Sequence, residues 1–85
     1  MNKDKEKACL LIRQCLTELY QASEPPITFE ECEKRYIGVD DWQRKHVITT
    51  EKYTEIRDKY YKLLPKVYHF DFELALLDYS PMEKV

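Results

Sequence analysis

Glycine is almost absent from this chain, which restricts both its fold and its chemistry. Gly38 is the only glycine among 85 residues, where an average frequency of about 7% would give about six. The sequence therefore contains neither a dinucleotide-binding nor a Walker A phosphate-binding motif. It also lacks the Asn-Gly and Asp-Gly pairs that close tight β-hairpins. These absences favour a mostly helical domain over a β-meander or a small barrel.

The distribution of charge narrows the class of partner. The formal net charge is −2 and the pI is about 5.7, which argues against non-specific nucleic-acid binding as the main activity. Residues 36–66 carry seven basic residues against five acidic ones, and residues 67–85 carry one against four. At this length we expect a single helical domain over residues 1–80, with a loose C-terminal tail at 81–85.

Cysteine and histidine residues form no familiar metal-binding or redox pattern. The three cysteines are an odd number without CxxC spacing, and their separations from the two histidines fit no common zinc site. These residues are Cys9, Cys15, Cys32, His46 and His69. We therefore expect reduced thiols, no metal and no cofactor. No stretch approaches the ~20 consecutive apolar residues of a membrane span, so we expect a cytoplasmic protein without a membrane partner.

A first amphipathic helix is predicted over about residues 4–22, where apolar residues recur at three- and four-residue steps. Its core-facing line consists of Ala8, Ile12, Cys15, Leu19 and Ala22. A second apolar line, about 100° around the helix, consists of Cys9, Leu16 and Tyr20. An apolar arc this wide leaves two interpretations. Either the helix is central and packed on two sides, or its second face meets a partner.

Capping signals mark the starts of three further helices. Thr28 and Glu31 have the three-residue spacing of a capping box, with a predicted return bond from Glu31 to the Thr28 amide. The helix that they begin is expected to end at Gly38, and Asp40 is expected to cap a short helix after it. A long helix then runs from a Thr-Thr-Glu capping cluster to Pro65. Its predicted core face consists of Tyr53, Ile56, Tyr60 and Leu63.

The last segment has two competing patterns. Strict alternation of apolar and polar residues over 68–74 is typical of a half-buried strand. The spacing of apolar residues over 72–79 instead indicates a helix. We expect a short extended segment at 67–70 followed by a helix over 72–79. The predicted fold class is therefore all-α, a small bundle of three to four helices with one short extended segment near residues 67–70.

Aromatic residues are concentrated in the second half of the chain. Nine of the eleven lie at or after Tyr36, and seven of the eleven are tyrosines, which combine an apolar ring with a polar tip suited to contact surfaces. Trp42, close to Arg44 and Lys45, has the composition of an interface anchor. Tyr61 lies about 100° off the core face of its helix and is the better candidate for an exposed contact.

These features predict a non-catalytic, regulatory protein that binds another protein or associates with itself. The predicted contact residues are Cys9, Leu16, Tyr20, Trp42 and Tyr61. We expect no enzymatic activity and no small-molecule substrate, because a substrate pocket would take a large share of so small a core. The adjacent acids Asp40 and Asp41 suit helix capping, and His69 with Asp71 suits a polar face in water.

A helix-turn-helix DNA-binding protein is the alternative. The first helix of the motif would be about 28–37 and the recognition helix about 41–46, with contacts from Trp42, Gln43, Arg44 and Lys45. Two positions fit this motif poorly. Lys34 stands where a small buried residue is expected, and Arg44 stands where an apolar residue is expected.

Overall fold

The computed structural model of the protein describes residues 3–34 and 39–84. Within these ranges the chain forms five α-helices and two short strands. In chain order the elements are α1 (Lys3–Ala22), α2 (Phe29–Lys34), α3 (Val39–Lys45), β1 (Val47–Thr49), α4 (Thr50–Leu63), a 3₁₀ turn (Lys66–Tyr68), α5 (His69–Tyr79) and β2 (Met82–Lys84). The predicted class, a small mostly helical domain, is confirmed, although the described helices number five rather than three or four.

The core forms where α1 packs against α4 and α5. Its most deeply buried side chains are Cys15 and Leu19 of α1, Ile48 of β1 and Phe72 of α5, each no more than 1% exposed. The predicted inner line of α1 is confirmed, since Ala8 is also buried and the remaining members are half-buried. Burial raises the pKa of the Cys15 thiol to about 12, so this residue packs as a small apolar side chain.

Two predicted helix caps are present, and a longer-range contact modifies one of them. The Thr28 hydroxyl accepts the backbone N–H of Glu31 at 3.2 Å, and the Thr49 hydroxyl accepts that of Lys52 at 3.3 Å. In place of the predicted bond to the Thr28 amide, the Glu31 carboxylate accepts the Thr28 hydroxyl at 3.3 Å and contacts His46. The predicted end of the second helix at Gly38 lies outside the described residues.

The start of α3 and the end of α4 differ from the prediction. α3 begins at Val39, so the backbone of Asp40 is already helical, whereas a capping residue is not. α4 ends at Leu63, and Leu64 leaves the helix with φ −84° and ψ 137°. This change of direction buries Leu64 to 4% exposure and leaves Leu63 57% exposed. The prediction that Leu63 belongs to the core face is therefore wrong, while the other three predicted positions of α4 are half-buried or buried.

The two strands form a small parallel sheet, with Val47 opposite Met82 and Thr49 opposite Lys84. The Met82 N–H donates to the His46 carbonyl at 3.1 Å, and the Thr50 hydroxyl donates to the Lys84 carbonyl at 2.9 Å. Where the sequence predicts a loose tail at 81–85, residues 82–84 are thus hydrogen-bonded to the strand before α4.

The extended segment predicted near residues 67–70 is wrong. The Tyr68 N–H donates to the Pro65 carbonyl at 2.9 Å, which closes a 3₁₀ turn, and α5 starts at the next residue. The alternation over 68–74 has a different cause, because α5 carries apolar side chains on two opposite sides. Phe72 is fully buried, whereas Phe70 is 69% exposed and Leu74 is 43% exposed.

Candidate protein-binding groove

An open groove of about 500 Å³ lies between α1 and the segment formed by α2, α3 and the end of α5. Its main apolar lining residues come from four parts of the chain and are Ile12, Leu16, Tyr20, Ile27, Phe29 and Trp42. Three charged side chains, Arg13, Glu31 and Asp78, also line it. The volume falls within the ~300–1,000 Å³ of common ligand-binding pockets.

One wall of the groove is the second apolar line of α1. Leu16 and Tyr20 are half-buried and line the groove, while Leu19 on the inner side of the helix is fully buried. One face of α1 therefore packs in the core, and the other lines the groove. Cys9 belongs to the same sequence line, but it is exposed and does not line the groove. It lies seven residues before Leu16, which is about 10 Å along the helix axis.

The facing wall is positioned by Trp42 of α3. Its indole Nε1–H donates to the Tyr79 carbonyl at 2.9 Å, and the Gln43 side-chain amide donates to the Leu77 carbonyl at 2.9 Å. Both carbonyls belong to the last turn of α5, where the final four C=O groups have no partner inside the helix. α3 thus caps the C-terminal end of α5, and the same bond fixes the orientation of the indole.

Aromatic contacts connect the two walls. The ring centroids of Tyr20 and Trp42 are 5.1 Å apart with an interplanar angle of 82°, the edge-to-face arrangement that aromatic pairs prefer. On its other side the Trp42 ring lies 5.8 Å from the His46 ring. Three rings from α1, α3 and the segment before β1 therefore form one continuous series of ring contacts.

His46 fixes the segments behind Trp42 and is 3% exposed. Its Nδ1 lies 2.8 Å from the Pro25 carbonyl oxygen, and its Nε2 lies 2.6 Å from the Glu31 carboxylate. Both ring nitrogens are therefore engaged by oxygen atoms of the protein. The residue ties α2 and the loop after α1 to the start of β1.

Tyr61, the fifth predicted contact residue, lies on α4 and does not line the groove. Its ring stacks on His69 at 3.8 Å and lies 6.3 Å from Phe72, with the Arg57 guanidinium 5.5 Å from its centroid. The side chain is half-buried. Tyr61 therefore packs at the edge of the core, and the structure brings together three of the five predicted contact residues.

Two of the aromatic residues that line the groove, Phe29 and Tyr79, are outside the predicted contact set. Phe29 is 77% exposed at the start of α2, and Tyr79 ends α5. The spacing of Phe29 with Cys32 was the available signal, because residues three apart share a helix face and both line the groove. No local pattern pointed to Tyr79, since its position depends on how α5 packs against α3.

The predicted DNA-contact residues fall into two groups. Trp42 and Gln43 are half-buried and bonded to α5, whereas Arg44 and Lys45 are exposed. Lys34, at the position that calls for a small buried residue, is exposed. Of the predicted DNA-contact residues, Arg44 and Lys45, at the end of a seven-residue helix, are therefore the two exposed basic residues that could contact phosphate.

Comparison with known proteins gives no information about the groove. No protein-family model, curated protein or solved structure matches the chain. Across residues 3–34 and 39–84, no helix has the length and apolar character needed to cross a membrane. The same part of the chain holds no group of three His, Cys, Asp or Glu side chains placed to bind a metal ion.

Proposed function

We propose that this protein is a non-catalytic interaction module that binds an apolar segment of another protein in the groove between α1 and α3. The observation that carries the proposal is the convergence of Leu16, Tyr20 and Trp42 on one open apolar surface. Tyrosine and tryptophan combine a large apolar area with a polar atom, and they are enriched among the residues that dominate binding energy.

The groove side chains are already ordered in the absence of a partner, which supports a binding role. Trp42 is held by its bond to the Tyr79 carbonyl and by its edge-to-face contact with the Tyr20 ring. Side chains that are already ordered lose little rotamer freedom when a partner docks, and each such side chain avoids a cost of about 0.5–1.5 kcal/mol. A partner therefore meets a formed surface.

The shape of the groove favours an amphipathic helix as the partner segment. The wall contributed by α1 extends from Ile12 to Tyr20, about 12 Å along the helix axis. A partner helix that carries large apolar residues at i, i+3 or i+4, and i+7 presents a stripe of similar length. Mixed charges at Arg13, Glu31 and Asp78 provide polar contacts at the groove for either sign of flanking residue.

The contacts of the two histidines support binding as the proposed activity. The His46 ring nitrogens are both engaged by oxygen atoms of the protein. The Nε2 of His69 is likewise shared between the Tyr61 and Leu64 carbonyls at 3.1 Å each. Contacts within the protein thus engage both histidines, the commonest general bases, and this favours binding over catalysis as the proposed activity.

The test compares two leucine substitutions on the same helix. Leu16→Glu places a charge in the groove, whereas Leu10→Glu changes a leucine that is 55% exposed and outside it. Proteins captured by the wild type and by Leu10→Glu, but lost with Leu16→Glu, are the candidate partners. Each candidate segment is then titrated in purified form, and emission from Trp42, the only tryptophan, reports occupation of the groove.

We expect a partner segment to shift Trp42 emission and Leu16→Glu to weaken its binding by about tenfold or more, with circular dichroism unchanged. Equal binding by the two variants would refute the proposal. Light scattering tests whether a second copy of this chain occupies the groove instead. A wild-type dimer that dissociates on Leu16→Glu would support that occupant. If Leu16→Glu unfolds the protein, Leu16 belongs to the core and the groove loses its main support.

A further inference from the structure

α5 carries a second apolar face that no described part of the chain covers. Phe70 and Leu77 are 69% and 71% exposed, and Leu74 between them is 43% exposed. With 100° per residue, these three side chains fall within an arc of about 60°. The centre of that arc is about 150° from the buried side, which is marked by Phe72 and Leu76. Val67, 76% exposed in the preceding turn, extends this outer stripe (Val67, Phe70, Leu74 and Leu77) by one turn.

The outer stripe is more than scattered surface hydrophobicity. Single exposed apolar residues are common on folded proteins, but a contiguous set along one helix marks an interaction site. Phe72 and Leu76 already fix α5 to the core, at 0% and 4% exposure. Large apolar residues on the opposite side add nothing to that packing. The stripe is about 15 Å long from Val67 to Leu77, enough for two to three turns of a partner helix.

Acidic residues flank the outer stripe on both edges. Asp71 and Asp78 lie on one edge by helical geometry, both are exposed, and neither makes an ion pair with a described residue. Glu73 lies on the other edge, 56% exposed and 3.9 Å from Arg57. Lys66 is the basic residue at the start of the stripe. Residues 67–85 carry one basic residue against four acidic ones, so this end of the domain is acidic.

We propose that the outer stripe docks an amphipathic helix of another protein whose apolar face is edged by Lys or Arg. Charge complementarity selects this occupant. None of the four stripe residues lines the groove, whereas Asp78, on one edge of the stripe, borders both surfaces.

A second copy of α5 fits the stripe poorly. Antiparallel pairing about Leu74 places Asp71 of one copy beside Asp78 of the other, and parallel pairing places the aspartate edge beside Glu73. Both arrangements bring like charges together, which is destabilising. An anionic membrane surface is disfavoured for the same reason, since membrane-binding helices of this kind have basic polar faces.

The probe is a synthetic 18-residue amphipathic helix with leucines along one face and lysines along both edges, paired with a control peptide in which glutamate replaces every lysine. Binding is followed by fluorescence anisotropy of the labelled peptide, and the contact surface is mapped by backbone amide NMR of the ¹⁵N-labelled full chain. We expect the lysine peptide to bind, with the largest shifts in α5. Leu77→Ser weakens binding by about tenfold or more, whereas Leu10→Ser, at an exposed leucine of α1, leaves it unchanged.

A charge exchange tests the acidic edges directly. Asp71→Lys with Glu73→Lys reverses one residue on each edge without touching the groove, and we expect this variant to prefer the glutamate peptide. Phe70→Ser provides a second stripe variant if Leu77→Ser perturbs the fold. Leu16→Glu separates the two surfaces, because it should weaken groove binding and leave peptide binding at the stripe intact.

Four results would overturn the proposal. They are no binding of the lysine peptide, affinity unchanged by both stripe variants, amide shifts confined to the groove, or equal affinity for the two peptides. A concentration-dependent dimer that Leu77→Ser dissociates would assign the stripe to a second copy instead. Binding to anionic vesicles that matches binding to the lysine peptide would assign it to a lipid surface.

Discussion

Replacing Phe72 with alanine, beside the same replacement at Phe70, tests how α5 is placed in the fold. The two phenylalanines are two positions apart. In a strand they would share a face, and both substitutions would cost about the same. In α5 they point about 160° apart, and the structure places Phe72 at 0% and Phe70 at 69% exposure.

The expected magnitudes differ by several kcal/mol. Phe72→Ala removes a fully buried ring and leaves a cavity, which costs about 3–5 kcal/mol. Phe70→Ala removes an exposed ring and should change the free energy of unfolding by no more than about 0.5 kcal/mol. A chain of 85 residues has an expected stability of about 4–13 kcal/mol. The first substitution therefore removes a large share of it and lowers the Tm by about 12 °C or more.

The assay is urea denaturation followed by circular dichroism at 222 nm, with midpoint and slope fitted for each variant. If Phe72→Ala leaves too little folded protein to fit, Phe72→Leu and Phe70→Leu form a milder pair with the same expected order. Equal losses at the two positions would refute the two-faced helix, and with it the reasoning for the outer stripe. A larger loss at Phe70 would have the same consequence.

Two further predictions concern titration and reactivity of buried or paired groups. A 2.7 Å hydrogen bond from Lys59, together with the neighbouring Tyr60 hydroxyl, lowers the pKa of Glu18 below its unfolded value of 4.5. Its contribution to stability is therefore present above that value and lost as the pH falls through the folded pKa. The free energy of unfolding of Glu18→Gln should differ from that of the wild type by less than about 1 kcal/mol, because the pair is partly exposed. Urea titrations should show this difference shrinking from about pH 6 to about pH 3. A difference that does not change with pH would contradict the prediction. Cys15 is fully buried, with a pKa raised to about 12, whereas Cys9 is exposed. In Ellman titrations of variants that keep one of these thiols, Cys9 should react at once, and Cys15 should react only when the protein unfolds. A Cys15 that reacts natively at the rate of Cys9 would show that the core around it is open.

Short-range codes explain most of what the sequence predicts correctly. The caps at Thr28 and Thr49 depend on residues three positions away, and the inner line of α1 depends on helical spacing alone. The predictions fail where the local structure depends on contact with a segment that is distant in the sequence. The side chain of Glu31 bonds to His46, fifteen residues on. The strand β2 has no partner of its own near the C-terminus and forms because β1 lies beside it.

The candidate site follows the same division. Leu16 and Tyr20 were identifiable because a second apolar line on α1 is visible in the sequence. Trp42 was identifiable by composition, but its contact with Tyr20 required the packing of α3 against α5. Tyr61 was assigned to the surface by its angle on α4, yet His69 and Phe72 cover part of it. An angle on one helix does not report which other helix lies beside it.

α5 links the two proposed surfaces and explains why alternation at 68–74 misled the prediction. The helix uses Phe72 and Leu76 for the core, Tyr79 for the groove and the outer stripe for a surface away from both. Because α5 directs apolar side chains to three different surfaces, they cover most of its circumference. The apolar pattern of its sequence therefore matches neither the two-residue period of a strand nor the single apolar stripe of a surface helix. Because an α-helix with its side chains is about 10–12 Å across, partners bound in the groove and on the stripe would lie on different faces of one helix, with Asp78 at the border between them. The single cap that Trp42 and Gln43 place on α5 then positions both surfaces at once.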